Sequence, residues 1–262
     1  TKVPYLALNN TDMNWHLRCD GGIGDKFIIR DNTNSANRLT IDTSGNVGIG
    51  TTSPSDFFAD FNNLVVGTGS GHNGMTIYSQ SGYKSSIAFA DGTSGNEMFR
   101  GMIIYDHNGD KLHFTTNGDG YPENTNEITM DSSGNLGIGI NSPTTTLDVE
   151  GTVSYKHTVF TTAGPTDNVD VSDTTVLEVD TSSNNVTIGG FTGGVQGQIL
   201  YIVKTDTANF IQLEHNEGGG SQDIFLTSGS DNRVVGYGGF TLYCNGTSWF
   251  SLSNPTGAAD AG

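Results

Sequence analysis

The feature that most limits what this chain can fold into is an internal repeat. Leu39-Thr-Ile-Asp-Thr-Ser-Gly-Asn-Val-Gly-Ile-Gly-Thr-Thr-Ser-Pro54 recurs as Ile128-Thr-Met-Asp-Ser-Ser-Gly-Asn-Leu-Gly-Ile-Gly-Ile-Asn-Ser-Pro143. Each copy reads as a short alternating strand, a turn and a second strand. Glycine and asparagine tolerate positive φ, so Gly45-Asn46 and Gly134-Asn135 predict a primed hairpin turn. Alternation then sets Leu39 and Ile41 across from Val47 and Ile49, and Ile128 and Met130 across from Leu136 and Ile138. After each proline, Leu64-Val-Val-Gly67 and Leu147-Asp-Val-Glu-Gly151 read as a further strand. Phe27–Arg30, Ser86–Phe89, Gly101–Tyr105 and Lys111–Phe114 precede the hairpins, and His107-Asn-Gly-Asp110 marks another hairpin. Such glycine-spaced units bury their apolar stripe against neighbours along the chain or in symmetry-related chains.

Composition agrees with an all-β class. Glycine supplies 37 of 262 residues, about twice the usual share, while hydrophobic residues reach 34% and charged residues 15%. That balance excludes a helical bundle or an α/β enzyme core. The net charge of −17 repels nucleic acid and anionic membrane surfaces alike. Apolar runs of four or five residues are too short to insert into a membrane. Thr1 opens into polar sequence with no signal peptide, and a start other than Met points to a piece of a longer protein. Cys19 and Cys244 fall in different expected domains and read as free thiols; three glycosylation sequons, at Asn9, Asn185 and Asn245, read as chance.

From about Thr158 the repeat stops. Eight strand-like runs follow, at Val176–Val179, Val186–Ile188, Ile199–Val203, Phe210–Leu213, Ile224–Leu226, Arg233–Val235, Phe240–Tyr243 and Trp249–Leu252. Their spacing fits a sandwich. The expected organisation is a first repeat module over 1–54, a second with connector over 55–157, and a β head over 158–262. Beyond residue 157 there are two cations, Lys204 and Arg233, against eleven Asp and Glu. Neutral sugars therefore suit this head better than anionic ones.

The Gly-Asn-Val-Gly-Ile-Gly element, with its Ser-Pro and Leu-Asp-Val-x-Gly continuation, resembles the modules of bacteriophage tail fibres. Phe89-Ala-Asp-Gly-Thr-Ser-Gly95 and Ile104-Tyr-Asp-His-Asn-Gly-Asp-Lys-Leu-His-Phe114 resemble them too, so the likeness covers roughly residues 14–153. Gly-Gln-Ile-Leu-Tyr-Ile-Val-Lys204, Phe210-Ile-Gln-Leu and the closing Asn-Gly-Thr-Ser-Trp-Phe-Ser-Leu252 resemble C-terminal fibre heads more loosely. The resemblance implies a homotrimeric shaft, exposed on the virion and joined to upstream fibre or tail proteins. It also implies a jelly-roll-like β-sandwich head that attaches to a host cell-surface glycan. Neither a Ser-Asp cleavage site nor a helical chaperone segment is recognisable.

Motifs with chemical meaning mostly have plainer readings. Gly69-Ser-Gly71-His-Asn-Gly74 matches a dinucleotide fingerprint, but Met75-Thr-Ile-Tyr78 after it reads as a strand where a helix is required. Asp106-x-Asn108-x-Asp110 has calcium-loop spacing, yet its twelfth position falls on Asn117. Asp167, Asp170 and Asp173 read as caps, turns and solvated linker. Among six histidines none has zinc-ligand spacing; His157, at the expected junction, is the candidate for a metal on a trimer axis. No nucleophile elbow or cofactor motif occurs, and no catalytic activity is expected, although a carboxylate pair for polysaccharide cleavage stays open. Trp15, Trp249 and Phe250 read as packing residues. Tyr237, on the glycine loop Val-Val-Gly-Tyr-Gly-Gly, reads as a sugar-stacking platform, with Asp231, Asn232 and Arg233 as hydrogen-bonding neighbours. The alternatives are a polysaccharide-degrading tailspike and a purely structural fibre segment.

Overall fold

A computed structural model describes residues 3–116 and 128–253. Its regular structure is all-β, with four short 3-10 turns and no α-helix among the described residues. The chain divides into two compact units, Thr1–Glu150 and Gly151–Gly262.

The first unit holds two six-stranded sheets of the same design. One is β1 (Tyr5–Asn9), β2 (Asn14–Asp20), β3 (Lys26–Asp31), β4 (Ala36–Ile41), β5 (Val47–Ile49) and β6 (Leu64–Val66). The other is β7 (Lys84–Phe89), β8 (Gly101–Asp106), β9 (Lys111–Thr116), β10 (Ile128–Met130), β11 (Leu136–Ile138) and β12 (Leu147–Val149). Each runs antiparallel through five strands and ends on a parallel sixth. The segment Met75–Tyr78 has no regular structure, contrary to the strand expected there, and no helix follows the glycine motif before it.

The repeated turn differs from the expected primed form. Gly45 and Gly134 take φ of 87° and 81°, but Asn46 and Asn135 do not enter the positive-φ region. Gly45 N donates to Asp42 O at 3.0 Å and Asp42 N to Asn46 O at 3.0 Å, which makes a three-residue loop closing on a left-handed glycine. The cause is the aspartate that opens each turn. Asp42 Oδ1 accepts from Ser44 N at 2.9 Å and Asn46 N at 3.0 Å; Asp131 does the same with Ser133 and Asn135, at 2.9 Å each. Asn46 and Asn135 return a side-chain bond to the same carboxylate at 3.2 Å. The His107–Asp110 loop likewise closes with Asp110, not Gly109, in the left-handed region.

After β5 and β11 the chain folds back over its own strand. A Cβ on Gly48 would stand 2.6 Å from Thr51 O, and one on Gly137 would strike Ile140 O. Lys26 Nζ pins this return by donating to Thr52 O at 2.7 Å, and Lys111 Nζ pins the other by donating to Asn141 O at 2.7 Å. The return segments lie over the face that carries Thr40 and Thr129, both fully buried.

The opposite face of each sheet is apolar and open. The register lines up Leu6, Leu17, Ile29, Leu39, Ile49 and Val66 in one rung across the first sheet. Ile87, Ile103, Phe114, Ile128, Ile138 and Val149 form the matching rung in the second. Leu6 keeps 59% of its surface exposed, Ile49 44%, Phe114 45% and Ile138 42%. Alternation sends Lys84, Asp106, Lys111 and Asp148 of the second sheet to the other face, with Arg18, Asp20, Lys26 and Arg30 placed likewise in the first. Asp31, at the end of β3, turns into its own loop: Arg38 and Asn34 bind it and hold its carboxyl at about 2.

The second unit is solenoid-like at its core. β13 (His157–Phe160), β15 (Val176–Val179) and β17 (Ile199–Lys204) stack in parallel, as do β14 (Gly164–Asp170), β16 (Val186–Thr192) and β18 (Ile211–Leu213). The chain alternates between these two ladders for three coils. β19 (Gln222–Phe225), β20 (Asn232–Val234), β21 (Gly238–Cys244) and β22 (Trp249–Ser253) then complete the sheet, mostly antiparallel. With so many parallel pairs, a jelly roll of antiparallel Greek keys is not shown. Asp167 and Asp170 lie within β14, so the acidic series is strand there and not linker. One core joins both ladders, with Leu177, Ile188, Leu200, Ile211 and Leu242 at or near zero exposure. Trp249 is buried in it, meets Phe191 edge-on at 5.5 Å, and donates from Nε1 to Gln222 Oε1 at 3.1 Å.

Gly48→Ala is expected to lower stability by about 1–3 kcal/mol, since rigid backbone must move to admit the methyl group. Gly74→Ala, at a negative φ with open space around it, should stay within about 0.5 kcal/mol. Urea unfolding of both variants checks the contrast.

Candidate functional site

Tyr237 sits between β20 and β21 and is 73% exposed. It lines an open depression of about 520 Å³ with Tyr201, Val203, Thr205, Gly238 and Thr241. Tyr201 comes from the middle of β17, where alternation buries Leu200, Ile202 and Lys204 and turns Tyr201 outward at 44% exposure. No local signal marks Tyr201 as outward: Ile-Leu-Tyr-Ile-Val-Lys is apolar at both parities, and its one charged residue, Lys204, lies on the buried side with Leu200 and Ile202.

Asp231, Asn232 and Arg233 do not join Tyr237 in that depression. Asp231 instead fastens two loops, accepting from His215 N at 2.9 Å and Gln212 Nε2 at 3.3 Å. Asn232 and Arg233 belong to β20, paired with β18, and the Arg233 guanidinium lies 5.4 Å over the Phe210 ring. Of the two cations beyond residue 157, Lys204 is turned inward with its side chain fully buried. Its Nζ donates to Asp206 O at 2.5 Å and to Asp206 Oδ1 at 3.0 Å. Burial of Asp206 pushes its carboxyl up, but bonds from Thr181 and Lys204 outweigh this and hold it below the usual range.

A small polar chain borders the depression. Thr205 Oγ1 donates to Glu178 Oε1 at 2.6 Å, and His157 Nε2 lies 2.8 Å from Glu178 Oε2. The Thr205 and His157 bonds keep the Glu178 carboxyl below its ordinary value. His157 thus occupies the first strand of the second unit, in contact with a carboxylate.

A second acidic feature was not foreseen. Glu214 follows β18 and Asp167 lies in β14, and the glycine at 189 on β16 between them leaves a gap that a Cβ would close against both carboxylates. Burial pushes the Glu214 carboxyl up, and the charges of Glu217, Asp231 and Asp167 add to this.

The remaining motifs are accounted for by local bonding. Asp106 accepts from Asn108 N at 2.9 Å and pairs with Lys84 at 3.3 Å, while Asp110 accepts from Tyr105 Oη at 3.3 Å. Asn117 lies outside the described residues. His16 stacks on Tyr5 at 4.3 Å, His107 Nε2 is 3.1 Å from Ser85 Oγ, His113 Nδ1 is 3.0 Å from Thr129 Oγ1, and His215 Nδ1 accepts from Leu226 N at 3.0 Å. Among the described residues no three His, Cys, Asp or Glu side chains gather as a metal site would require. No known protein family matches the chain, and comparison with curated proteins returns no match.

Because the folded protein disfavours ionised Glu214, this group destabilises the fold above its raised folded value, and the penalty fades as pH falls through that value. Glu214→Gln should therefore raise stability at pH 7 by at most about 1 kcal/mol. At pH 4 the two proteins should melt together in a thermal scan.

Proposed function

We propose that this chain is the distal part of a bacteriophage tail fibre, carried on the virion as a homotrimer, whose second unit binds a glycan on the host cell surface. The observation that carries this reading is the pair of uncharged, six-residue apolar rungs exposed on the two sheets of the first unit. A single chain leaves them partly in water, where each Leu, Ile or Phe forgoes a share of the about 1.5–3 kcal/mol that full burial brings. Apolar faces of this extent mark association surfaces. A chain of net charge −17 meets least self-repulsion through surface that carries no charge. Closed symmetry provides such a contact with identical copies, and the resemblance of the repeat to tail-fibre modules points to three of them. The head then presents three equal sites, and weak sugar contacts gain by avidity. Upstream fibre or tail proteins complete the particle, and no nucleic acid or membrane takes part.

A second reading, polysaccharide cleavage, is favoured by one observation, the carboxylates of Asp167 and Glu214 facing each other across Gly189. Burial favours the protonated form of Glu214, and a second carboxyl group beside it gives the pairing that glycoside hydrolysis uses. Release of reducing ends from bacterial polysaccharide, lost in Glu214→Gln, would establish it; no release would remove it.

Light scattering during size exclusion tests the main reading. A mass of about 83 kDa, three chains of 27.7 kDa, is expected, and Ile128→Asp in the centre of the second rung should shift it towards one chain. A wild-type mass of one chain would overturn the trimer. Labelled protein that adheres to none of a panel of bacterial strains would overturn host binding.

A further inference from the structure

We propose that the depression between Tyr201 and Tyr237 is the cleft that takes a neutral glycan, with the Thr205 hydroxyl as its fixed hydrogen-bond acceptor. This rests on the reading of the second unit as a glycan-binding head, and it replaces the Asp231–Arg233 segment as the place of contact.

The depression is open, with a mostly apolar lining like that of small-ligand sites. Its volume of about 520 Å³ falls within the range of about 300–1,000 Å³ usual for such sites. Two tyrosines line it, and they are 44% and 73% exposed. The C–H face of a pyranose is apolar and packs on a flat ring, and a tyrosine adds a hydroxyl at the rim for the sugar's own hydroxyls. Gly238, beside Tyr237, puts no side chain into the space.

Polar groups then decide which sugar enters. Thr205 Oγ1 spends its proton on Glu178 at 2.6 Å, so towards a ligand it offers only lone pairs. Glu178 is itself held from its other oxygen by His157 at 2.8 Å, which keeps the threonine rotamer in place. A sugar hydroxyl meets this acceptor as donor. Lys204 forms part of the wall, yet its ammonium is buried on Asp206 and offers nothing to a carboxylate or phosphate. With Glu178 nearby and no cation presented, an anionic sugar would bring uncompensated charge into the cleft. The chemistry fits a neutral hexose, deoxyhexose or N-acetylhexosamine.

The test uses the whole chain on a printed array of neutral oligosaccharides beside sialylated and phosphorylated ones. Wild type should bind neutral sugars. Tyr201→Ala and Tyr237→Ala should each weaken binding tenfold or more with melting temperature and solution mass unchanged, while Tyr237→Phe keeps most of it. Thr205→Val should weaken binding and Thr205→Ser should restore it, whereas Arg233→Ala should have no effect. Neutral-sugar binding that survives both alanine variants would overturn the cleft and leave the head's role standing. Binding confined to anionic sugars would overturn the assigned chemistry. A fall in solution mass in either alanine variant would mean that a second copy fills the depression, and this too would overturn the proposal. A wild type that binds neither the array nor any strain of a bacterial panel would remove the glycan reading itself, and the cleft with it.

Discussion

Side chains of a β-strand alternate between two faces, and in the first unit that alternation separates charge from apolar surface. Every rung of six residues from Leu6 to Val66 and from Ile87 to Val149 is apolar, while lysines and aspartates of the same strands stand behind them. The covered face is the more polar one. It is covered because the chain returns over Gly48 and Gly137 and is tied down by Lys26 and Lys111. Local backbone thus occupies the face that a conventional domain would leave to water, and the apolar face is left exposed.

The second unit solves the same problem internally. Two parallel ladders put Leu177 against Ile202 and Val186 against Ile211 in successive coils, so that like residues stack and one core closes between the ladders. Two polar groups buried in this interior, Gln222 and Lys204, are bonded. Gln222 receives Trp249 Nε1 and Gly194 N on one oxygen and donates to Gly194 O at 2.8 Å. Lys204 meets Asp206. An unmatched amine or amide here would cost several kcal/mol, so these bonds are a condition of the fold as much as an ornament of it.

The contrast between the two units bears on the functional reading. One unit leaves an organised apolar surface exposed; the other is self-sufficient in its core and can devote its outer positions to contacts. Tyr201 and Tyr237 stand on such outer positions, and so do Asp167 and Glu214.

The sequence by itself determined the all-β class, the two-copy repeat, the main strands and the outward place of Tyr237, because each follows from alternation, glycine and proline within a few neighbouring residues. It carried the hairpins too, but not their form: Asp42 and Asp131 gather turn N–H groups that a Gly-Asn rule does not consider. Only the tertiary structure decided what pairs across distance. Parallel partners such as Val186 and Ile211 are separated by a full coil, and nothing local in either segment names the other. For that reason the strand at Gly164–Asp170 is not legible locally, nor are the bonds of Asp231 to Gln212 and His215, the sharing of one depression by Tyr201 and Tyr237, or the approach of Asp167 and Glu214 across Gly189. Asp167 and Glu214 are brought together by the stacking of coils, and Tyr201 and Tyr237 by the antiparallel pairing of β17 with β21, both of which depend on the summed burial of the whole core and not on any short stretch of chain.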